Sequence, residues 1–250
     1  MSTRGLSAMT AISALVIGAV AFSLPATAQS LSLDLGGGAS ATGRIVQIIA
    51  LLTILSLAPS ILVMVTSFTR IVVVLSFLRN AMGVQQTPPN AVLISLALFL
   101  TAFVMTPTLE QSYRDGIAPL LENRISEEEA FSRTIKPVHN FMMSHVREQD
   151  LRLFMNLAKT PPVESAADTP LRSLVPAFMI SELRRAFEIG FLLFVPFLII
   201  DMVVASVLMS MGMMMLPPVM ISLPFKLIFF VLVDGWYLVA GSLVKSYGGG

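Results

Sequence analysis

An all-α membrane protein is the fold class that this chain predicts, and three observations carry the prediction. Of its 250 residues, 55% are hydrophobic and 12% charged, with mean hydropathy +0.82, against about 25% charged in an ordinary soluble domain. Four apolar stretches are long enough to cross a bilayer core, which takes roughly 20 apolar residues. No alternating strand pattern occurs, and the polar stretch between the second and third apolar runs carries helical spacing. The expected architecture is four hydrophobic helices in two hairpins, with a helical extracytoplasmic domain between the second and third.

The first thirty residues read as a targeting segment. Arg4 is a sparse positive start, Ala8–Leu24 an apolar core, and Ala26-Thr27-Ala28 a small-residue cleavage signal before Gln29. Residues 1–28 are therefore expected as a cleaved leader, with cleavage between Ala28 and Gln29, and 29–44 as a polar segment beyond it. An extra N-terminal membrane helix is the alternative, which the polar stretch after the cleavage pattern disfavours.

The first hydrophobic hairpin is expected over 45–109. Ile45–Thr66 and Pro88–Leu109 carry no charge between the basic positions of their flanks. The connection Ser67–Thr87 contains Arg70 and Arg79 and no acid, so the positive-inside rule puts it in the cytoplasm. These two arginines bracket the eight-residue apolar run IVVVLSFL, too short to span. Either a helix continues there, projecting from the membrane or buried in an oligomer, or the arginines anchor to lipid headgroups.

Residues 110–185 hold 21 of the 31 charged positions, ten basic and eleven acidic. Alternation across the membrane makes this a periplasmic domain. Ser126-Glu127-Glu128-Glu129 matches a capping box, in which serine and the third residue on satisfy orphan amides reciprocally. Ile135, Val138, Met142, Val146, Leu153 and Leu157 then recur near helical spacing, with Pro137 expected to break or kink the run. Thr160-Pro161-Pro162 stops it. Thr169-Pro170 restarts a helix, with threonine as cap and proline at the first helical position.

The second hairpin is expected over 186–250. Ala186–Leu208 contains Glu188 and Asp201, and Val219–Val244 contains Lys226 and Asp234. Charges at that depth are costly and face protein or water. Asp201 and Asp234 could relay protons or ions, or could pair with Lys226, arginines or another subunit; the second reading is favoured because a relay needs a longer polar chain. Pro59, Pro107, Pro196 and Pro224 are expected to kink their helices. Ala205, Ser206 and Ser210 allow close helix approach. These features favour packing inside an assembly.

Several function classes are excluded or unsupported. Net charge +1 gives no nucleic-acid footprint. With no cysteine, thiolate sites and nucleophiles are absent. His139 and His145 lie six apart with no metal-binding motif around them, and read as solvent-facing or capping groups. No catalytic, metal or cofactor residues are expected, and the chain reads as a non-enzyme.

Between the last two apolar runs stands MSMGMMMLPP, Met209–Pro218. Methionine is flexible, polarizable and repacks against varied partners. Several such turns around an axis would form a deformable ring able to close a pore; composition alone allows equally a merely methionine-rich interfacial turn.

The run FLLFVPFLIIDMVVASVLMSMGMMMLPPVMISLPFKLIFFVLVDGW closely resembles the FliP family of flagellar biosynthesis proteins, components of the type III export gate. SFTRIVVVLSFLRNAMG, PPNAVLISLALFLTAFVMTP and PLRSLVPAFMISELRRAFEIGF resemble it too, so the likeness covers roughly Ile45 to Ser246. It implies a subunit of the inner-membrane channel in the flagellar basal body, through which unfolded rod, hook and filament proteins leave. In that family several copies, understood to be five, form a ring with FliQ and FliR proteins, with FlhB and FlhA proteins alongside. The family's methionine loop seals the channel, and Met209, Met211, Met213, Met214 and Met215 correspond to that gasket. The resemblance also implies helices lifted out of the bilayer plane in the assembled gate, with energy supplied by proton motive force and an ATPase elsewhere.

Overall fold

The computed structural model describes residues 41–84, 86–160, 165–213 and 215–248. The leader and its cleavage site at Ala28 and Gln29, the segment 29–40, and Met214 of the methionine turn lie outside the described residues. Every element is helical: α1 Ala41–Met64, α2 Phe68–Ala81, α3 Asn90–Ser112, a π-turn Tyr113–Ile117 leading into α4 Ala118–Leu121, α5 Glu127–His145, α6 Glu148–Leu157, a 3-10 turn Ala166–Asp168, α7 Leu171–Ser210, α8 Pro218–Leu232 and α9 Gly235–Lys245. No strand occurs among the described residues. The packing described below lies within the compact unit 54–250.

Two helical stretches are long and apolar enough to cross a membrane: Asn90–Leu121 with 32 residues and Leu171–Ser210 with 40. The expected fourth span is a broken pair, α8 and α9, bent by 63°. The bend sits at Asp234, whose backbone is left-handed (φ 49°, ψ 53°), an uncommon conformation for a residue with a Cβ. Pro224, expected to kink this run, lies inside α8 instead. The expected first span falls in α1, where the continuous apolar part is Ile48–Leu57.

Most of the Ser67–Thr87 connection is helical, so Arg70 and Arg79, grouped as basic residues of a cytoplasmic loop, stand on a helix, as the first of the two readings of this segment has it. It holds α2, the central helix of the unit, packed against α7 and α3. Ile71, Val74, Leu75 and Leu78 are at most 1% exposed and follow the i, i+3, i+4, i+7 stripe of one helix face. Leu93 and Ala97 of α3, Ala186 and Phe197 of α7, Phe230 of α8 and Val239 and Leu243 of α9 complete this core. A second, smaller cluster joins Met142 of α5 to Leu174 and Phe178 of α7.

The polar segment folds much as its caps dictate. Ser126 Oγ accepts the Glu129 backbone amide, one half of the capping box, while the Glu129 carboxylate turns to Arg133 one turn on. The apolar run expected as one helix breaks at Val146–Arg147, where both residues are extended. That break lets the Arg147 amide reach Ser181 Oγ at 3.0 Å. Pro137 does not end α5; the helix runs through it. Helix α7 starts one residue later than expected, with Pro170 as its cap and no side-chain capping bond. His139 is buried, not solvent-facing, and its Nε2 lies 2.8 Å from the Thr169 carbonyl oxygen.

One continuous helix, α7, carries the chain from the polar segment through the apolar run. No glycine or proline stop separates Arg185 from Ala186. Pro176 and Pro196 are both accommodated inside it, each at the loss of one intrahelical hydrogen bond.

Candidate functional site

Three features converge on α7: a buried charge cluster toward its start, an ion pair about three-quarters along, and the methionine turn at its end. The first begins with Arg70 on α2, 1% exposed, facing Glu182 on α7, 0% exposed. Arg70 Nε donates to Glu182 Oε2 at 2.8 Å, and its Nη2 donates to Oε1, the two-point fork that a guanidinium makes with a carboxylate. Nη1 donates to Ser246 Oγ at 3.0 Å. The guanidinium also lies 3.8 Å over the Tyr247 ring, and the Tyr247 hydroxyl donates to Glu182. Burial, and next the Glu182 carboxylate, push the Tyr247 phenol well above its ordinary range. Such a pair is sustained in a dry site by the further partners it collects, here Ser246 for the guanidinium and Tyr247 for the carboxylate. It ties α2, α7 and the residues after α9 together.

The second feature answers the question raised by the intramembrane charges. Asp201 Oδ2 on α7 lies 2.6 Å from Lys226 Nζ on α8, and Ser222 Oγ donates to Asp201 Oδ1. Lys226 is itself 4% exposed, and its Nζ also donates to the Ala81 carbonyl oxygen at 3.3 Å. Ala81 ends α2, so the ammonium sits where that helix leaves orphan carbonyls and its partial negative charge. Asp234 takes no part. It is exposed at the α8–α9 break, with no side-chain partner among the described residues. Arg79 closes the other side of the α2 end, donating to the Pro88 carbonyl and to Asn90 Oδ1.

The third feature is the turn. The Met213 amide bonds the Leu208 carbonyl and the Gly212 amide bonds the Met209 carbonyl, each 3.0–3.1 Å. Gly212 sits at φ +73°. This pairing closes the helix in the Schellman manner, with a left-handed residue just past its end. Met209, Met211, Met213 and Met215 stand 43% to 98% exposed, and Pro217 and Pro218 start α8 directly after. The turn is therefore a covalently short, backbone-fixed platform carrying loose apolar side chains. Among the described residues no group of three His, Asp or Glu converges to hold a metal.

Comparison with known proteins now decides the family. The FliP family model matches residues 51–243, a span that takes in Arg70, Glu182, Asp201, the methionine turn, Lys226 and Asp234. Flagellar biosynthetic protein FliP of Caulobacter vibrioides is 64% identical over 93% of this chain and 89% of its own length. The proteins of that name from Bacillus subtilis and Rhizobium meliloti are 59% and 51% identical, over 81% and 93% of this chain and 91% and 97% of their own lengths. The chain belongs to the FliP family. Membership makes it a flagellar biosynthesis and export protein with apolar helices of membrane length.

Sequence reasoning named Asp201, Lys226 and the methionines of this FliP-family chain, and it named Arg70 without a partner. It missed Glu182, Tyr247, Ser222 and Ser246. Glu182 stood in plain view, an acid in a polar segment, and nothing local distinguishes it from a solvated one. The one available signal was Arg70 itself, a charge beside the apolar positions Ile71, Val74, Leu75 and Leu78 that needs an anionic partner, though not one the sequence names.

Proposed function

We propose that this chain is a core subunit of the flagellar type III protein export gate, and that its methionine turn seals the protein-conducting channel. The observation that carries the reading is the turn itself. Four described methionines stand exposed on a backbone fixed by the Schellman closure and Gly212, and the hairpin beneath is pinned by the Asp201–Lys226 pair. Flexible thioethers on a fixed frame can close against one another around an axis and still yield to a passing chain. Met209, Met211, Met213, Met214 and Met215 form the gasket. Copies of the chain, five by family resemblance, make the ring with FliQ and FliR proteins, beside FlhB and FlhA proteins. The substrates are unfolded rod, hook and filament proteins. The site of action is the bacterial inner membrane within the basal body, with residues 110–185 periplasmic between hairpins 45–109 and 186–250, and residues 1–28 removed on export.

Replacing Met213, Met214 and Met215 together with alanine tests the gasket. The altered ring is expected to assemble with its partners at normal mass and to leak small ions in cells or vesicles. Full secretion with no added leak would remove the gasket role. The other reading, a proton or small-substrate transporter working through Asp201 and Asp234, draws no support from the geometry. Asp201 is neutralised by Lys226, and Asp234 is in no hydrogen-bonded chain with it.

A further inference from the structure

We infer that the methionine turn binds one soft monovalent metal ion, Cu(I), through the thioethers of Met209, Met211 and Met213. The chain has no cysteine and two histidines. Both imidazoles are engaged elsewhere, His139 with the Thr169 carbonyl and His145 with the Phe141 carbonyl, so methionine is the soft donor this chain has to offer. Five of its sixteen methionines fall within residues 209–215. Met82, Met105 and Met142, by contrast, are at most 3% exposed and closed to an ion arriving from solution.

The backbone brings three of the turn's side chains around one point. Met209 belongs to the last turn of α7 and Met211 is its cap. The left-handed Gly212 then folds the chain back, and the Met213 amide reaches the Leu208 carbonyl at 3.0 Å. Met213 therefore stands beside the helical turn that carries Met209 and Met211. All three are exposed, at 57%, 66% and 43%, and each unbranched chain has three rotatable bonds with which to swing its sulfur inward. Gly212 and the Pro217-Pro218 start of α8 fix the frame, which lowers the ordering cost that a loose loop would meet. Ser210 does not compete, because its hydroxyl donates to the Val207 carbonyl.

Donor type and charge select the ion. Thioethers are soft and neutral, and soft sulfur ligands favour Cu(I), whereas Zn(II) takes thiolate, imidazole or carboxylate. Met209–Pro218 carries no charge, and the nearest acid in sequence, Asp201, is already paired with Lys226. No carboxylate is at hand to offset a second positive charge, and uncompensated charge is costly once water is stripped from it. The turn therefore fits a monovalent ion.

The test uses the full chain with its assembly partners in detergent, titrated in chloride-free buffer with Ag(I), an air-stable monovalent stand-in for Cu(I). Native mass spectrometry reads the occupancy. One Ag(I) per chain is expected, retained against a large excess of Zn(II). The triple variant Met209→Leu, Met211→Leu, Met213→Leu keeps apolar bulk and removes the sulfurs, and should weaken binding about tenfold or more. No bound Ag(I), displacement by Zn(II), or undiminished binding in the triple variant overturns the assignment. A second readout needs no variant and so holds even if the triple variant fails to assemble. With isotope-labelled methionine methyl groups, Ag(I) should shift the NMR signals of Met209, Met211 and Met213 and leave those of Met82, Met105 and Met142 in place. Shifts confined to other methionines overturn the site. Both readouts report metal occupancy alone, so neither depends on whether the turn seals a pore.

Discussion

Glu182→Gln keeps the shape of its side chain and removes the charge that neutralises Arg70. The guanidinium, 1% exposed, would then stay buried with one neutral amide, a serine hydroxyl and a tyrosine face for company. Removing one partner of a buried ion pair costs about 3–5 kcal/mol, because the orphaned charge keeps its desolvation penalty. For a chain of this size each kcal/mol lowers Tm by roughly 2–4 °C, so the loss amounts to roughly 6–20 °C. Thermal unfolding in a single detergent, followed by helical circular dichroism, measures it. The double variant Arg70→Met with Glu182→Leu removes both charges together. It should regain at least half of the loss, the remainder being the unpaired Tyr247 hydroxyl at about 1–3 kcal/mol. A Glu182→Gln protein within about 1 °C of the parent, or a double variant no better than the single, would refute the view that charge compensation holds this core together.

Three further outcomes follow from the same geometry. Asp201→Asn leaves the Lys226 ammonium with a neutral amide and the Ala81 carbonyl and should cost about 1–3 kcal/mol, seen as lost assembly on sizing chromatography. Asp201→Asn with Lys226→Met should assemble again, and an Asp201→Asn ring that is complete but inactive would revive the relay reading. Gly116→Ala would set a Cβ 2.8 Å from the Thr134 amide nitrogen and 2.9 Å from the Ala130 carbonyl oxygen; backbone cannot step aside, so about 1–3 kcal/mol of overpacking is expected as a lower Tm, with no rescue by Thr134→Ala. The raised Tyr247 value works with a definite sign. Its stability is fully present below the ordinary phenol value of about 10 and falls as pH climbs past it, by up to about 1.4 kcal/mol per pH unit. Tyr247→Phe should flatten that part of a Tm-against-pH curve.

Much of this fold was legible locally, and what was not is long-range. Ser126 announced the start of α5 because a cap is a matter of three consecutive residues. The Asp201–Lys226 pair was one of the weighed readings, since charge in an apolar run demands an answer nearby. Arg70 was harder: its partner stands 112 residues away in sequence, in a segment that holds many other acids. A positive residue beside an apolar run looks the same whether it meets lipid phosphate or a buried carboxylate, and only the fold distinguishes them. The bend at Asp234 was invisible for a different reason. Pro224 marks a kink by its residue type, whereas a left-handed aspartate carries no residue-type warning as strong as proline's. Helix α7 runs unbroken across 185–186, where the sequence passes from charged to apolar. Helical hydrogen bonding is indifferent to which solvent surrounds it, so without a stop residue the helix simply continues.

The length of α7 has a mechanical consequence. Forty residues make a rod of about 60 Å, and about 42 Å of it separates the Glu182 clamp from Ser210. The clamp at Glu182 and the methionine turn are thus the two ends of one continuous helical stretch, and between them Ala186, Phe197 and the Asp201–Lys226 pair hold that stretch to its neighbours.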